Sequence, residues 1–145
     1  MNSVLEGVLA KVLAKVGKFW IGGEWVAPAE DTKFSNFRPT TGEVLCEVAQ
    51  GTQADIDRAV KSAQEAVFDN EHWGVNSTGK QRAVILRKLG DIFVRNKQAI
   101  ATIDSIDHGK PMREACADVD DAINACKHFA DLAEKQDEQQ ASCTV

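Results

Sequence analysis

An α/β chain is predicted by three features of this 145-residue sequence. Two short apolar runs flank Gly22-Gly23, as in a β-hairpin. Val44, Cys46 and Val48 alternate with other residues, as in a half-buried strand. Three later segments repeat apolar residues at helical spacing. The order read from the sequence is an N-terminal helix, a short β-hairpin and extended strands, then three amphipathic helices.

Residues 1–17 carry a stripe of Val4, Leu5, Val8, Leu9, Val12, Leu13 and Val16, with Lys11 and Lys15 on another face. Such a helix packs its apolar side on the body of the protein or on a partner. It contains no Arg and only one Ser and one Glu, which fits an organelle-targeting peptide weakly, and lysines interrupt the apolar run a secretory signal needs. Phe19-Trp20-Ile21 and Glu24-Trp25-Val26 then form the hairpin, and Pro28 ends the pairing. Residues 34–49 add extended chain, with Thr41-Gly42 as its turn.

From Thr52 the pattern is helical. Thr52 is placed to cap a helix, with Asp55 three residues on as a short form of the capping box. Ile56, Ala59, Val60, Ala63, Ala66 and Val67 make its apolar face. Trp73-Gly74 mark a loop, and Ser77 or Thr78 caps a long helix striped by Ile85, Leu86, Leu89, Ile92, Phe93, Ile100, Ile103 and Ile106. Asp107-His108-Gly109 closes that helix, Gly109 being free to take the positive φ of a C-terminal cap. Pro111 suits the first turn of a third helix, whose face is Ala115, Val119, Ala122, Ile123, Cys126, Phe129, Ala130 and Ala133. The polar run Gln136–Gln140 follows.

The formal charge of -5 and the absence of Tyr argue against a nucleic-acid reader, which needs a basic face and stacking aromatics. No apolar run approaches the roughly 18 residues that cross a bilayer. Cys46, Cys116, Cys126 and Cys143 include no C-x-x-C pair, so neither a zinc knuckle nor a thioredoxin-type centre is indicated, and free thiols are expected.

The strings FWIGGEWV, RPTTGEVLCEVAQGTQADIDRAVKSAQEAV, QRAVILRKLGDIF, SIDHGKPMREA and DVDDAINACKHFADLAEK follow one another over residues 18–137. In that order and spacing they resemble the N-terminal region of the NAD(P)-dependent aldehyde dehydrogenases. Asp-x-Gly-Lys-Pro with Asp-Val-Asp-Asp is similar to the branch that oxidises amino- and trimethylammonio-aldehydes, which includes the plant-type betaine aldehyde dehydrogenases. The resemblance implies a truncated α/β chain whose three helices, in the full family fold, flank a Rossmann-like cofactor domain. Residues 1–17 are then an added amphipathic helix, 18–137 the N-terminal part of an aldehyde dehydrogenase domain, and 138–145 a disordered tail. It also implies NAD or NADP as the cofactor of the full-length enzyme, a small aldehyde as substrate, a homo-oligomer and a cytoplasmic location.

In that family a cysteine thiolate attacks the aldehyde carbon, an Asn side chain helps bind the oxyanion, hydride passes to NAD(P)+, and a glutamate activates the deacylating water. Those residues lie later in family chains, and neither Glu-Leu-Gly-Gly nor Gly-Gln-x-Cys occurs here. No catalytic and no cofactor-binding residue is therefore assigned, and the isolated chain is expected to be inactive. Cys143 has no base or cationic neighbour to lower its pKa and is read as an exposed thiol. The alternative is a non-catalytic interaction protein that binds full-length dehydrogenase subunits.

Two sites are carried over residue by residue. Asp107, a carboxylate at a helix C-terminus where it opposes the macrodipole, matches an aspartate that helps hold a monovalent cation with backbone carbonyls from the segment Asn36-Phe37. Asp107 and Phe37 are thus the candidate cation ligands, although Arg38-Pro39 stands where the family usually has Asn-Pro and adds a positive charge beside the site. Asp118 and Asp121 share a helix face and match a pair lining the substrate channel, where carboxylates attract an ammonium group. Asp120 points elsewhere. His72, His108 and His128 lack ligand spacing, and Trp20, Trp25 and Trp73 are read as packing anchors.

Overall fold

In the computed structural model the described residues are Gly7, Ala10, 12–68 and 73–142, with side chains as far as Asp137. The predicted N-terminal helix falls mostly outside them; within them Val12 and Leu13 are helical, and the Ala14 N–H donates to the Ala10 carbonyl at 3.0 Å. His72 and Cys143 also lie outside. The chain divides into two compact units, Met1–Gln64 with Thr102–Pro111, and Glu65–Ala101 with Met112–Val145.

The first unit holds two antiparallel ribbons. Strands β1 (Phe19–Ile21) and β2 (Glu24–Val26) pair Phe19 with Val26, Trp20 with Trp25 and Ile21 with Glu24. Gly22 and Gly23 take φ of 63° and 82°, the two successive positive values that a two-residue hairpin turn demands and that side chains resist. Trp20 and Trp25 meet edge to face at 5.2 Å between ring centroids, yet both remain exposed; they anchor each other and not a core.

Strands β3 (Lys33–Phe37) and β4 (Val44–Ala49) form the second ribbon, in register from Lys33↔Ala49 to Asn36↔Cys46. The register then shifts, pairing Phe37 with Val44. The bulge breaks the predicted alternation, because one extra residue re-aims the side chains beyond it: Val44 is exposed while Leu45, Cys46 and Val48 are half-buried and Ala49 is buried.

Helix α1 (Gln53–Phe68) begins as the sequence predicts. The Asp55 carboxylate accepts from the Thr52 N–H at 2.9 Å and from its hydroxyl at 2.8 Å. It also accepts from the Ala29 N–H at 2.9 Å and from Arg58 at 2.5 Å. Arg58 in turn donates to the Ala27 carbonyl. The stretch after β2 is thereby tied to the start of α1 through one acid, and Asp55 is only 4% exposed. Its pKa is held well below the usual carboxylate range, chiefly by the Thr52 backbone N–H, with the Thr52 hydroxyl, Arg58 and the Ala29 N–H adding to it against the opposing effect of burial. The apolar stripe of α1 is open by contrast: Ile56 is 54% and Val60 51% exposed, and Ala59, Ala63 and Ala66 are exposed too.

The second unit is built on α2 (Gly79–His108, whose last turns belong to the first unit) and α3 (Met112–Ser142). Thr78 and Gln81 cap α2 reciprocally: the Gln81 N–H donates to the Thr78 hydroxyl, and the Thr78 N–H to the Gln81 carboxamide. Ala101, Ala115, Val119 and Ile123 make the core, with Phe93, Ile100 and Cys116 packed on it. The face predicted for α3 is thus mostly buried, with Ala122 and Ala133 half-buried and Phe129 57% exposed. Helix α3 also runs on to Ser142, past residue 137 where a tail was expected; Glu, Gln and Ala propagate a helix well and no Pro or Gly interrupts them.

Asp137, inside the polar run, has a structural use. Its carboxylate accepts the Gly79 N–H at 2.7 Å and the Lys80 N–H at 3.0 Å, two donors that the start of α2 leaves without intrahelical partners. Gly79 is buried, and a Cβ there would overlap the Ala133 carbonyl. Gly79→Ala should therefore force the helices apart and cost about 1–3 kcal/mol, read as a lower unfolding midpoint. An unchanged midpoint would mean that α2 and α3 do not approach so closely.

Candidate functional site

The C-terminal turn of α2 holds Asp107, one of the two candidate cation ligands. Gly109 takes φ 71°, its N–H donates to the Ser105 carbonyl at 3.0 Å, and the Ser105 hydroxyl donates to the Lys110 carbonyl at 2.7 Å. A Cβ on Gly109 would stand 3.2 Å from the Pro39 ring, so the turn lies directly against the segment that leaves β3. Asp104 contacts two side chains of the turn, His108 Nδ1 at 2.6 Å and Lys110 Nζ at 3.1 Å. Lys110 and then His108 hold its pKa below the ordinary value.

Asp107 faces the other way, toward β3. The Asn36 side-chain Nδ2 donates to Asp107 Oδ1 at 2.6 Å, in a partly buried position. The sequence places Asn36-Phe37 at this site through backbone carbonyls; the carboxamide of Asn36 was not foreseen. Hard monovalent cations want oxygen atoms, and an amide N–H aimed at the carboxylate is the opposite kind of group. The residues present therefore do not fit a cation at that oxygen. Phe37 ends β3 with an exposed side chain, leaving only its backbone as a source of ligands.

Asp118 and Asp121 lie on α3 and are both exposed. Asp120 between them is engaged elsewhere, both of its oxygens lying 2.7 Å from Lys97 Nζ on α2. All three acids are exposed, and Asp120 is the one paired with Lys97. A second ion network further along α3 joins Arg87 to Glu134 at 2.9 Å and to Asp131 at 2.7 Å. Among the described residues no group of three or more His, Cys, Asp and Glu could hold a metal ion, and no helix is long and apolar enough to cross a membrane.

Among the described residues, the starts of α1 and α2 do not fit a phosphate either. Helix N-termini attract phosphate through free N–H groups and the dipole. Here Asp55 stands at the start of α1 and Asp137 at the start of α2, each a carboxylate that would repel a phosphate. Gly22 and Gly23 join two antiparallel strands, whereas the dinucleotide fingerprint needs a strand, a glycine turn and a helix.

Comparison with known proteins agrees with the resemblance. A family model described as "Aldehyde dehydrogenase family" matches residues 25–144. Aldehyde dehydrogenase B of Escherichia coli is 39% identical over 132 residues, 90% of this chain and 25% of that protein. Aminoaldehyde dehydrogenase 2 of Solanum lycopersicum is 36% identical over 120 residues, 83% of this chain and 23% of that protein. A crystal structure of betaine aldehyde dehydrogenase from Staphylococcus aureus in complex with NAD+ superimposes with a TM-score of 0.78 at 29% identity, covering 92% of this chain and 26% of the other. The chain thus spans about a quarter of the length of the relatives it matches.

Proposed function

This chain belongs to the aldehyde dehydrogenase family, and from that premise we propose that it forms the outer N-terminal portion of an NAD(P)+-dependent enzyme oxidising an aldehyde to a carboxylic acid. The observation that carries the proposal is the open apolar stripe of α1, with Ile56, Val60 and Val67 all exposed. Apolar surface of that extent on one helix face marks a site meant for another surface. In this reading the surface is a Rossmann-like cofactor domain supplied by the rest of the enzyme, which holds the cofactor and the nucleophile and works as a cytoplasmic homo-oligomer.

A chimera tests this directly. Residues 18–137 replace the matching portion of the Escherichia coli relative, and NADH or NADPH formation is followed with several aldehydes. Activity within about an order of magnitude of the parent is expected. A folded chimera without activity would sink the proposal.

We further propose that the substrate carries a positive charge, an amino- or betaine aldehyde, with Asp118 and Asp121 at the mouth of its channel. The names of the tomato and staphylococcal relatives support this, as does the exposure of both acids. Exposed charges attract modestly and are screened by salt. Asp121→Asn in the chimera should lower kcat/KM for a cationic aldehyde roughly three- to tenfold, leave a neutral aldehyde of similar length almost unchanged, and lose its effect as salt rises. Equal effects on the two substrates would remove the assignment.

A further inference from the structure

We propose that Asn36, and not a monovalent cation, satisfies the Asp107 carboxylate, its side-chain amide acting as a built-in counter-donor at the end of α2. Asp107 is the penultimate residue of that helix, where unpaired carbonyls already concentrate negative charge. A carboxylate there needs a compensating group. Two basic side chains lie close in the chain, His108 and Lys110, but both are bound to Asp104. The donor that reaches Asp107 is the Asn36 amide at 2.6 Å, and a hydrogen bond to an ionised acceptor is among the stronger kinds.

The backbone keeps the two groups together. Asn36 is the last residue of β3 before the register shift, and Gly109 packs on Pro39 and Thr40 just beyond it. The contact therefore joins two pieces of chain whose approach is fixed on both sides. An ion at the same oxygen would have to share it with the N–H and accept Arg38 as the next residue along. A neutral amide achieves the compensation without either cost, because it adds no net charge and needs no dehydrated ion.

Replacing nitrogen by oxygen supplies the test. The full chain is followed by sodium-23 NMR line width and by thermal loss of helicity in sodium, potassium or choline chloride at equal ionic strength. Wild type should show sodium broadening no greater than Asp107→Asn, and the same midpoint in all three salts. Asn36→Asp sets two carboxylates face to face, which repel unless an ion or a proton lies between them. That variant should be stabilised by sodium or potassium over choline at neutral pH, or by mild acidification. A wild-type response to sodium or potassium that Asp107→Asn abolishes would overturn the proposal. So would an Asn36→Asp chain indifferent to both cation and pH, since the two side chains would then not be facing each other. Neither readout involves activity, so the result is independent of the enzymatic role proposed above.

Discussion

Purified 1–145, incubated with a range of aldehydes and with NAD+ or NADP+, is expected to form no reduced cofactor above a blank. Aldehyde oxidation of the family kind needs a thiolate, an oxyanion donor, a water-activating acid and a bound dinucleotide acting on one carbon. Enzymes of this power accelerate their reactions by about a millionfold or more, and none of that is within reach when the reacting groups are not brought together. The starts of α1 and α2, two places that could receive a phosphate, hold Asp55 and Asp137 instead. Aldehyde-dependent NADH formation that disappeared in Cys143→Ala would overturn the expectation and make the last cysteine a nucleophile after all.

The second large effect is expected at Asp55. Its replacement by Ala leaves the N–H groups of Thr52 and Ala29 without their acceptor and removes the partner of Arg58. Buried donors left unmet are costly. Hydrogen exchange at the Thr52 and Ala29 amides should accelerate roughly ten- to hundredfold. Arg58→Ala should do less, because the backbone donors keep their acceptor and the guanidinium is half exposed. The pH dependence has a definite sign. The folded pKa lies below the unfolded value, so Asp55 contributes fully above about pH 4, and its contribution is lost as pH falls from there through the folded pKa. Protection at Thr52 that was indifferent to both Asp55→Ala and acid would show the clasp to be unimportant.

Local rules made most of the elements legible. Thr78 caps its helix where the sequence placed a cap, Asp55 accepts the Thr52 N–H at the start of α1, Gly22-Gly23 forms the turn, and Ala115, Val119, Ile123, Cys126 and Ala130 of the α3 face are buried. These follow from hydrogen-bond chemistry and periodicity within a few residues. The periodicity of α1 was equally clear, yet its stripe is exposed, since a repeat shows which side of a helix is apolar and says nothing about whether the matching surface is in the same chain. At the candidate site the sequence located Asp107 at the end of a helix and Asp118 and Asp121 on one face. The Asn36 amide escaped because a contact across 71 residues leaves no local signal. Asp137 escaped for a related reason: in a uniformly polar run nothing singles out the one acid that turns back to Gly79. A buried glycine opening a helix, next to a remote acid, is the nearest thing to a hint.

The clasp at Asp55 also bears on the order in which the chain takes shape. Its bonds reach three residues within α1 and 26 residues back to Ala29, so the loop it closes is short and its entropy cost modest. Contacts of such short range form early, and N-terminal segments leave the ribosome first. The direction of α1 can be set while most of the polypeptide is still being made. Ile56, Val60 and Val67 are then displayed on a helix already oriented, and in the enzyme proposed above the cofactor domain would have a fixed template to settle on.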